Sequence, residues 1–239
     1  MAWQCSSRRH GQRLRRPACL AGPSFGRAVH RDVLMSSPVM LTAEGLVITR
    51  GDRVLLRGFD LSVDPGERVH LKGPNGVGKS TLIKVLCGLR RAEEGRVCWH
   101  GTDIRHDPDS YERSLLYIGH ENALNPDLSA VENLHSLQAI LGCETEGVER
   151  ALQDAGLKGR MHLPCRKLSA GQRRRAALSR LLSSRHPLWI LDEPAAALDA
   201  AGRAWLEAMM LAHGEAGGAV LFSAHEPLAE AGCRVVELT

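Results

Sequence analysis

The chain has 239 residues, 44% of them hydrophobic and 24% charged, enough to bury one sizeable core with an appended subdomain. No uninterrupted apolar run reaches the roughly 18 to 20 residues of a membrane-spanning helix, so any service to a membrane comes from outside the bilayer. The formal net charge is +4, from 31 Lys+Arg against 27 Asp+Glu, and it is unevenly placed. Arg8, Arg9, Arg13, Arg15, Arg16, Arg27 and Arg31 stand in the first 31 residues without one acid among them. Setting those seven aside leaves 24 basic against 27 acidic residues over 32–239, a net −3. The basicity belongs to a tail, which removes net charge as an argument for a nucleic-acid partner.

Residues 1–40 are rich in Arg, Ser, Gly and Pro and lack a secretory hydrophobic segment. Three readings stay open for them: an organellar transit peptide, a disordered tail, or sequence lying upstream of a true start at Met35 or Met40. From residue 41 the texture changes. Strands are predicted over 46–49 and 54–63, closed by the Pro65-Gly66 turn, and a short strand over 69–72 runs into a glycine-rich loop. A helix is predicted over 81–89, strands over 97–100 and 115–119, and helices over 131–141 and 148–157. Ser169 can cap a helix running to about Ser184 with Leu178, Leu181 and Leu182 on its apolar side. The run 188–191 is too short for a helix and reads as a buried central strand. A helix over 201–213, a strand over 219–223 and an edge strand over 235–238 complete the chain. Strands alternating with helices indicate an α/β fold with a mainly parallel sheet, and the strand-rich start adds an antiparallel β subdomain. Seven scattered cysteines without a Cys-x-x-Cys pair argue against a zinc or redox motif and fit a reducing compartment.

The strongest chemical signal is Gly73-Pro74-Asn75-Gly76-Val77-Gly78-Lys79-Ser80, followed by Thr81. It is a full G-x-x-x-x-G-K-[ST] match lying between a predicted strand and a predicted helix, the context of a phosphate-binding loop. Glycines let successive backbone N–H groups point inward, and the helix N-terminus adds positive potential where phosphates lie. Lys79 is placed to reach the β- and γ-phosphates of ATP, and the Ser80 hydroxyl to ligate Mg²⁺. Such a loop needs a further acid for the metal. Leu188-Trp189-Ile190-Leu191-Asp192-Glu193 supplies Asp192 at the end of an apolar strand, with Glu193 as general base on water. The same two acids before Pro194 can instead open a helix; the phosphate loop favours the metal-and-base reading.

Between these motifs stands Leu168-Ser169-Ala170-Gly171-Gln172. With the loop before it and the acid pair after it, the stretch 41–239 resembles the ATP-binding-cassette (ABC) transporter ATPases, a P-loop NTPase fold. The resemblance implies a homodimer packed head to tail around two ATP, with Ser169, Gly171 and Gln172 of one copy facing the γ-phosphate on the other. It also implies a D-loop at Ala196-Ala197-Leu198-Asp199, a switch histidine at His225 acting with Lys79 and Glu193 in catalysis, and an inserted helical subdomain around 121–165. His120 occupies the place where most cassettes carry a Mg²⁺-binding glutamine. With Tyr117-Ile118-Gly119 before it and 125–134 after it, it resembles the narrower group of cytochrome c maturation cassettes, whose process is haem export or haem-chaperone release.

That likeness implies a separate membrane permease, other cytochrome c maturation proteins as partners, and a peripheral place on the cytoplasmic face of a bacterial inner membrane, without direct haem binding. Two departures stand out. Arg50 lies near the position of the usual adenine-stacking aromatic and can stack by its guanidinium instead, and Ala196 and Ala197 replace a common D-loop hydroxyl. The run Arg173, Arg174 and Arg175 fans around a helix and reads as a solvated or subunit-facing cluster. With aromatics at only 4%, base-stacking platforms are scarce and nucleic acid is not expected. The rival readings are an exporter ATPase for another substrate and a soluble cassette ATPase outside transport.

Overall fold

The computed structural model describes residues 39–140, 147–224, 228 and 232–239. Strand β1 (Leu41–Arg50) and β2 (Arg53–Val63) form an antiparallel hairpin in which Arg50 pairs with Arg53. Gly51, at φ 60, takes the left-handed position that so tight a turn demands. Met40 already belongs to this sheet: its N–H donates to the Val63 carbonyl at 2.9 Å. On its other side β1 pairs antiparallel with β4 (Glu94–Trp99), and β5 (Thr102–Asp103) closes a sheet of order β2-β1-β4-β5.

The second sheet contains β3 (Arg68–Lys72), β6 (Leu115–Ile118), β7 (Leu188–Leu191), β8 (Ala219–Ser223) and β9 (Arg234–Glu237), in the order β6-β7-β8-β3-β9. Every pairing in it is parallel. The α/β class, the antiparallel β region and the parallel sheet are thus as the sequence predicts, and β9 is an edge strand. β7 and β8 are buried at every residue, which explains why they read as continuous apolar runs. One consequence governs function. The carboxyl ends of β3, β6, β7 and β8 open onto a common edge, where parallel α/β sheets hold ligands.

The helices are α1 (Lys79–Leu86), α2 (Pro108–Ser114), α3 (Ala130–Ile140), α4 (Val148–Asp154), α5 (Ala170–Leu178) and α6 (Ala200–Glu215). Helix α2 has no counterpart among the predicted elements. Asp107 caps it, accepting from the Ser110 N–H at 3.2 Å, and Pro108 occupies its first turn. Helix α5 is shorter than predicted. After Leu178 the chain tightens into a 3₁₀ turn, Ser179–Leu181, and the buried Ser179 hydroxyl donates back to the Ala176 carbonyl at 2.8 Å.

One apolar cluster packs α1 between the two sheets, through Leu82, Ile83 and Leu86 against Leu46, Val69 and Ile190. A second lies under α6. The third is built by 130–168 itself, from Val131, Leu134, Val148, Leu152, Leu157 and Met161, and meets α5 at Ala176.

Candidate functional site

The loop 73–80 leaves β3 and enters α1 at Lys79. Lys79 is only 6% exposed, and its ammonium donates to the Gly73 carbonyl at 2.7 Å and the Pro74 carbonyl at 3.1 Å. The charge therefore lies across the mouth of the loop, where anionic oxygens can take over the same donors. Gly78 sits at φ 117, and a Cβ there would come within 3.2 Å of Leu55, so β2 presses directly on the loop. A pocket of about 170 Å³ is lined by Asn75, Gly76 and Gly78 to Thr81 of the loop, together with Arg50, Leu55 and Glu193. The predicted phosphate ligands and the predicted base share one cavity, and Arg50 stands at its rim.

Asp192, buried at 2% exposure, follows β7. Its Oδ1 accepts from the Ser80 hydroxyl at 3.2 Å and from the Ser223 hydroxyl at 2.8 Å. Ser223 ends β8 and in turn accepts the Glu193 N–H at 3.0 Å. The ends of β7 and β8 and the start of α1 are thereby tied to one carboxylate. Glu193 adopts φ 49, a left-handed conformation that costs a non-glycine residue on the order of 1–3 kcal/mol and concentrates at functional sites. Its Oε2 lies 3.3 Å from His120 Nδ1. His120, expected at the metal, thus faces the carboxylate expected to act as base. His225 lies outside the described residues.

The chemistry of this donor set suits Mg²⁺. A hydroxyl and a buried carboxylate, 3.2 Å apart beside a phosphate loop, are the hard oxygen donors that this ion prefers. An imidazole nitrogen suits it less well.

Helix α5 carries the signature stretch. Ser169 is its N-cap in a complete capping box with Gln172: Ser169 Oγ accepts from the Gln172 N–H at 3.2 Å, and Gln172 Oε1 accepts from the Ser169 N–H at 3.0 Å. The exposed Ser169 hydroxyl keeps its own hydrogen for another acceptor. A Cβ at Gly171 would come within 2.8 Å of the Ala197 carbonyl, so this glycine packs against the stretch expected to form the D-loop of its own chain. Asp199 caps α6 through the Gly202 N–H at 2.8 Å and pairs with Arg175 at 2.6 Å. The Gly202 amide, then Arg175, hold its carboxyl below the usual range.

The arginine run requires a correction. Arg174 is neither solvated nor subunit-facing; it is 2% exposed, and its guanidinium donates to the carbonyls of Gly119, Asp192, Glu193 and Pro194. Burial pushes its pKa down to about 10, against the pull of Asp192 and Glu193. The signal was present in the spacing, because Arg174 lies three and four residues before Ala177 and Leu178 and so shares the buried face of α5. Ser223 was also missed, and its role rests on β8 lying beside β7.

The family model for ABC transporters matches residues 56–196, spanning both the phosphate loop and the acid pair. The chain belongs to the ABC transporter family. Within it, this ABC-type ATPase is 43% identical over 206 residues to the cytochrome c biogenesis ATP-binding export protein CcmA of Methylococcus capsulatus, covering 85% of this chain and all of that one. To the protein of the same name from Nitrosomonas europaea it is 44% identical over 195 residues, with 80% and 92% covered. Among solved structures, an ATP-binding subunit of an ABC transporter superposes with a TM-score of 0.73 at 28% identity, over 83% of this cassette and 85% of that chain. A dimeric cassette in a post-hydrolysis state bound to ADP and Pi gives 0.72 at 25% identity, over 84% and 94%. Among the described residues, no helix of this cassette is long and apolar enough to cross a membrane.

Proposed function

We propose that this chain is the ATP-hydrolysing subunit of a membrane complex in c-type cytochrome biogenesis, energising a separate permease that exports haem or releases it to a chaperone. The observation that carries the hydrolytic part is the Ser80–Asp192 hydrogen bond beneath Glu193, at the carboxyl edge of the parallel sheet. The process is supported by the likeness to the cytochrome c biogenesis export proteins. Dimerisation is supported by the likeness to the ADP-bound dimeric cassette.

In this reading the loop amides, Lys79 and Thr81 bind the phosphates of ATP. Ser80 and Asp192 hold Mg²⁺, which when bound offsets the charge on the phosphate oxygens. Glu193 accepts a proton from water attacking the γ-phosphorus, with ADP as leaving group, and His120 orients the carboxylate from 3.3 Å away. Ser169 and Gly171 of a second copy complete the site, and His225 contacts the γ-phosphate. Segment 121–165 is the helical subdomain, and the groove beside His120 to Leu128 receives the permease at the cytoplasmic face of the membrane.

Deleting the gene tests the process. Loss of covalently haem-bound c-type cytochromes, restored by the wild-type chain and not by Glu193→Gln, is the expected result. Unchanged c-type cytochromes in the deletion strain would contradict it.

A further inference from the structure

Arg174 takes no part in the chemistry proposed above, yet it makes the densest set of polar contacts among the described residues. Its Nε donates to the Pro194 carbonyl at 3.0 Å, and one terminal nitrogen to the carbonyls of Asp192 at 3.1 Å and Glu193 at 2.9 Å. The other terminal nitrogen donates to the Gly119 carbonyl at 2.9 Å and to Asn122 Oδ1 at 3.2 Å, and approaches the His120 carbonyl at 3.5 Å. Three consecutive carbonyls, 192 to 194, converge on a single guanidinium because Glu193 adopts φ 49 at their centre. An extended turn would send alternate carbonyls in opposite directions.

We infer that Arg174 is a positioning residue, a buried strut that fixes the Glu193 carboxylate for attack by water and locks it to the signature helix. The fork geometry is what the task requires. Five N–H donors in one plane reach the turn after β7 and the turn after β6 together, whereas a lysine ammonium offers three donors from a single point. The two turns carry Glu193 and His120, the pair lying 3.3 Å apart. Arg174 thus holds both ends of that contact by their backbones. It also stands five residues from Ser169 on the same short helix. The end of α5 exposed for a second copy and the turn bearing the base of the chain's own site therefore form one rigid piece.

The proposal rests on Glu193 being the base, and a double-variant cycle separates the two ideas. ATP turnover is measured with full-length protein for Arg174→Met in the native and the Glu193→Gln backgrounds, with Arg174→Lys alongside. Arg174→Met is expected to lower kcat at least about tenfold, as misplacement of a catalytic group does, with KM for ATP unchanged because Arg174 touches no residue of the phosphate loop. Arg174→Lys should recover part of the loss. In the Glu193→Gln background, Arg174→Met should cost less than about twofold, because nothing remains to be positioned. Equal losses in both backgrounds, an unchanged kcat, or a loss confined to KM would overturn the strut. Near-normal turnover of Glu193→Gln alone would overturn the base assignment and the strut with it. If Arg174→Met fails to fold, the same cycle run with Arg174→Lys decides by the same criterion.

Discussion

Neighbouring side chains with the same charge hold different environments at this site. Asp192 is sealed at 2% exposure between two serine hydroxyls, a setting that suits the role of cation ligand proposed for it. Glu193, one residue on, turns its side chain back toward the phosphate pocket through a left-handed backbone. Lys79 is the counterpart of both. Its present partners are two carbonyls of its own loop, and phosphate oxygens can replace them with charge-assisted bonds worth on the order of 1.5–3 kcal/mol. Lys79→Ala should therefore weaken ATP binding by about ten- to a hundredfold or more in a fluorescent-nucleotide titration. Tight binding by that variant would remove the lysine from phosphate recognition.

At the scale of elements, helix α2 shows how a segment of little apolar character acquires a structural task. Tyr111, its buried residue, donates its hydroxyl to the Leu86 carbonyl at 2.6 Å, at the last residue of α1. That carbonyl belongs to the orphaned group at a helix C-terminus, and no solvent reaches the ring to replace the bond. Burial pushes the phenol pKa well above its usual value, so the donor stays protonated throughout ordinary pH. Tyr111→Phe should cost about 1–3 kcal/mol in urea unfolding while leaving ATP affinity unchanged; an unaltered midpoint would show that the bond contributes nothing net. Apolar periodicity does not mark this helix, because its only apolar anchor is one tyrosine, although Asp107-Pro108 marks its start. The burial of Arg174 is masked for a different reason. Three arginines in a row suggest solvent, and only the phase of Ala177 and Leu178 shows that the middle one points inward.

Across the whole molecule, the parts legible in the sequence were those whose chemistry is local. The phosphate loop, the apolar strand ending in Asp192, and the cap at Ser169 each carry their own signature and appear where the spacing predicts. What had to come from the fold was adjacency. Strand order β6-β7-β8-β3-β9 brings Ser223 to Asp192 and Gly119 to Arg174, pairings separated by 31 and 55 positions in sequence. The net charge of +4 divides into a basic tail and a mildly acidic remainder, so the proposed anion recognition rests on one lysine and backbone amides rather than on net charge. In the proposed function a second copy completes the site with its own Ser169, whose side chain is exposed. The most direct test measures ATP binding and Mg²⁺-dependent ATP turnover on one preparation of Glu193→Gln. The expected result is wild-type nucleotide affinity with turnover reduced at least about a hundredfold, the scale of a lost general base. Turnover close to that of the wild type would contradict the account.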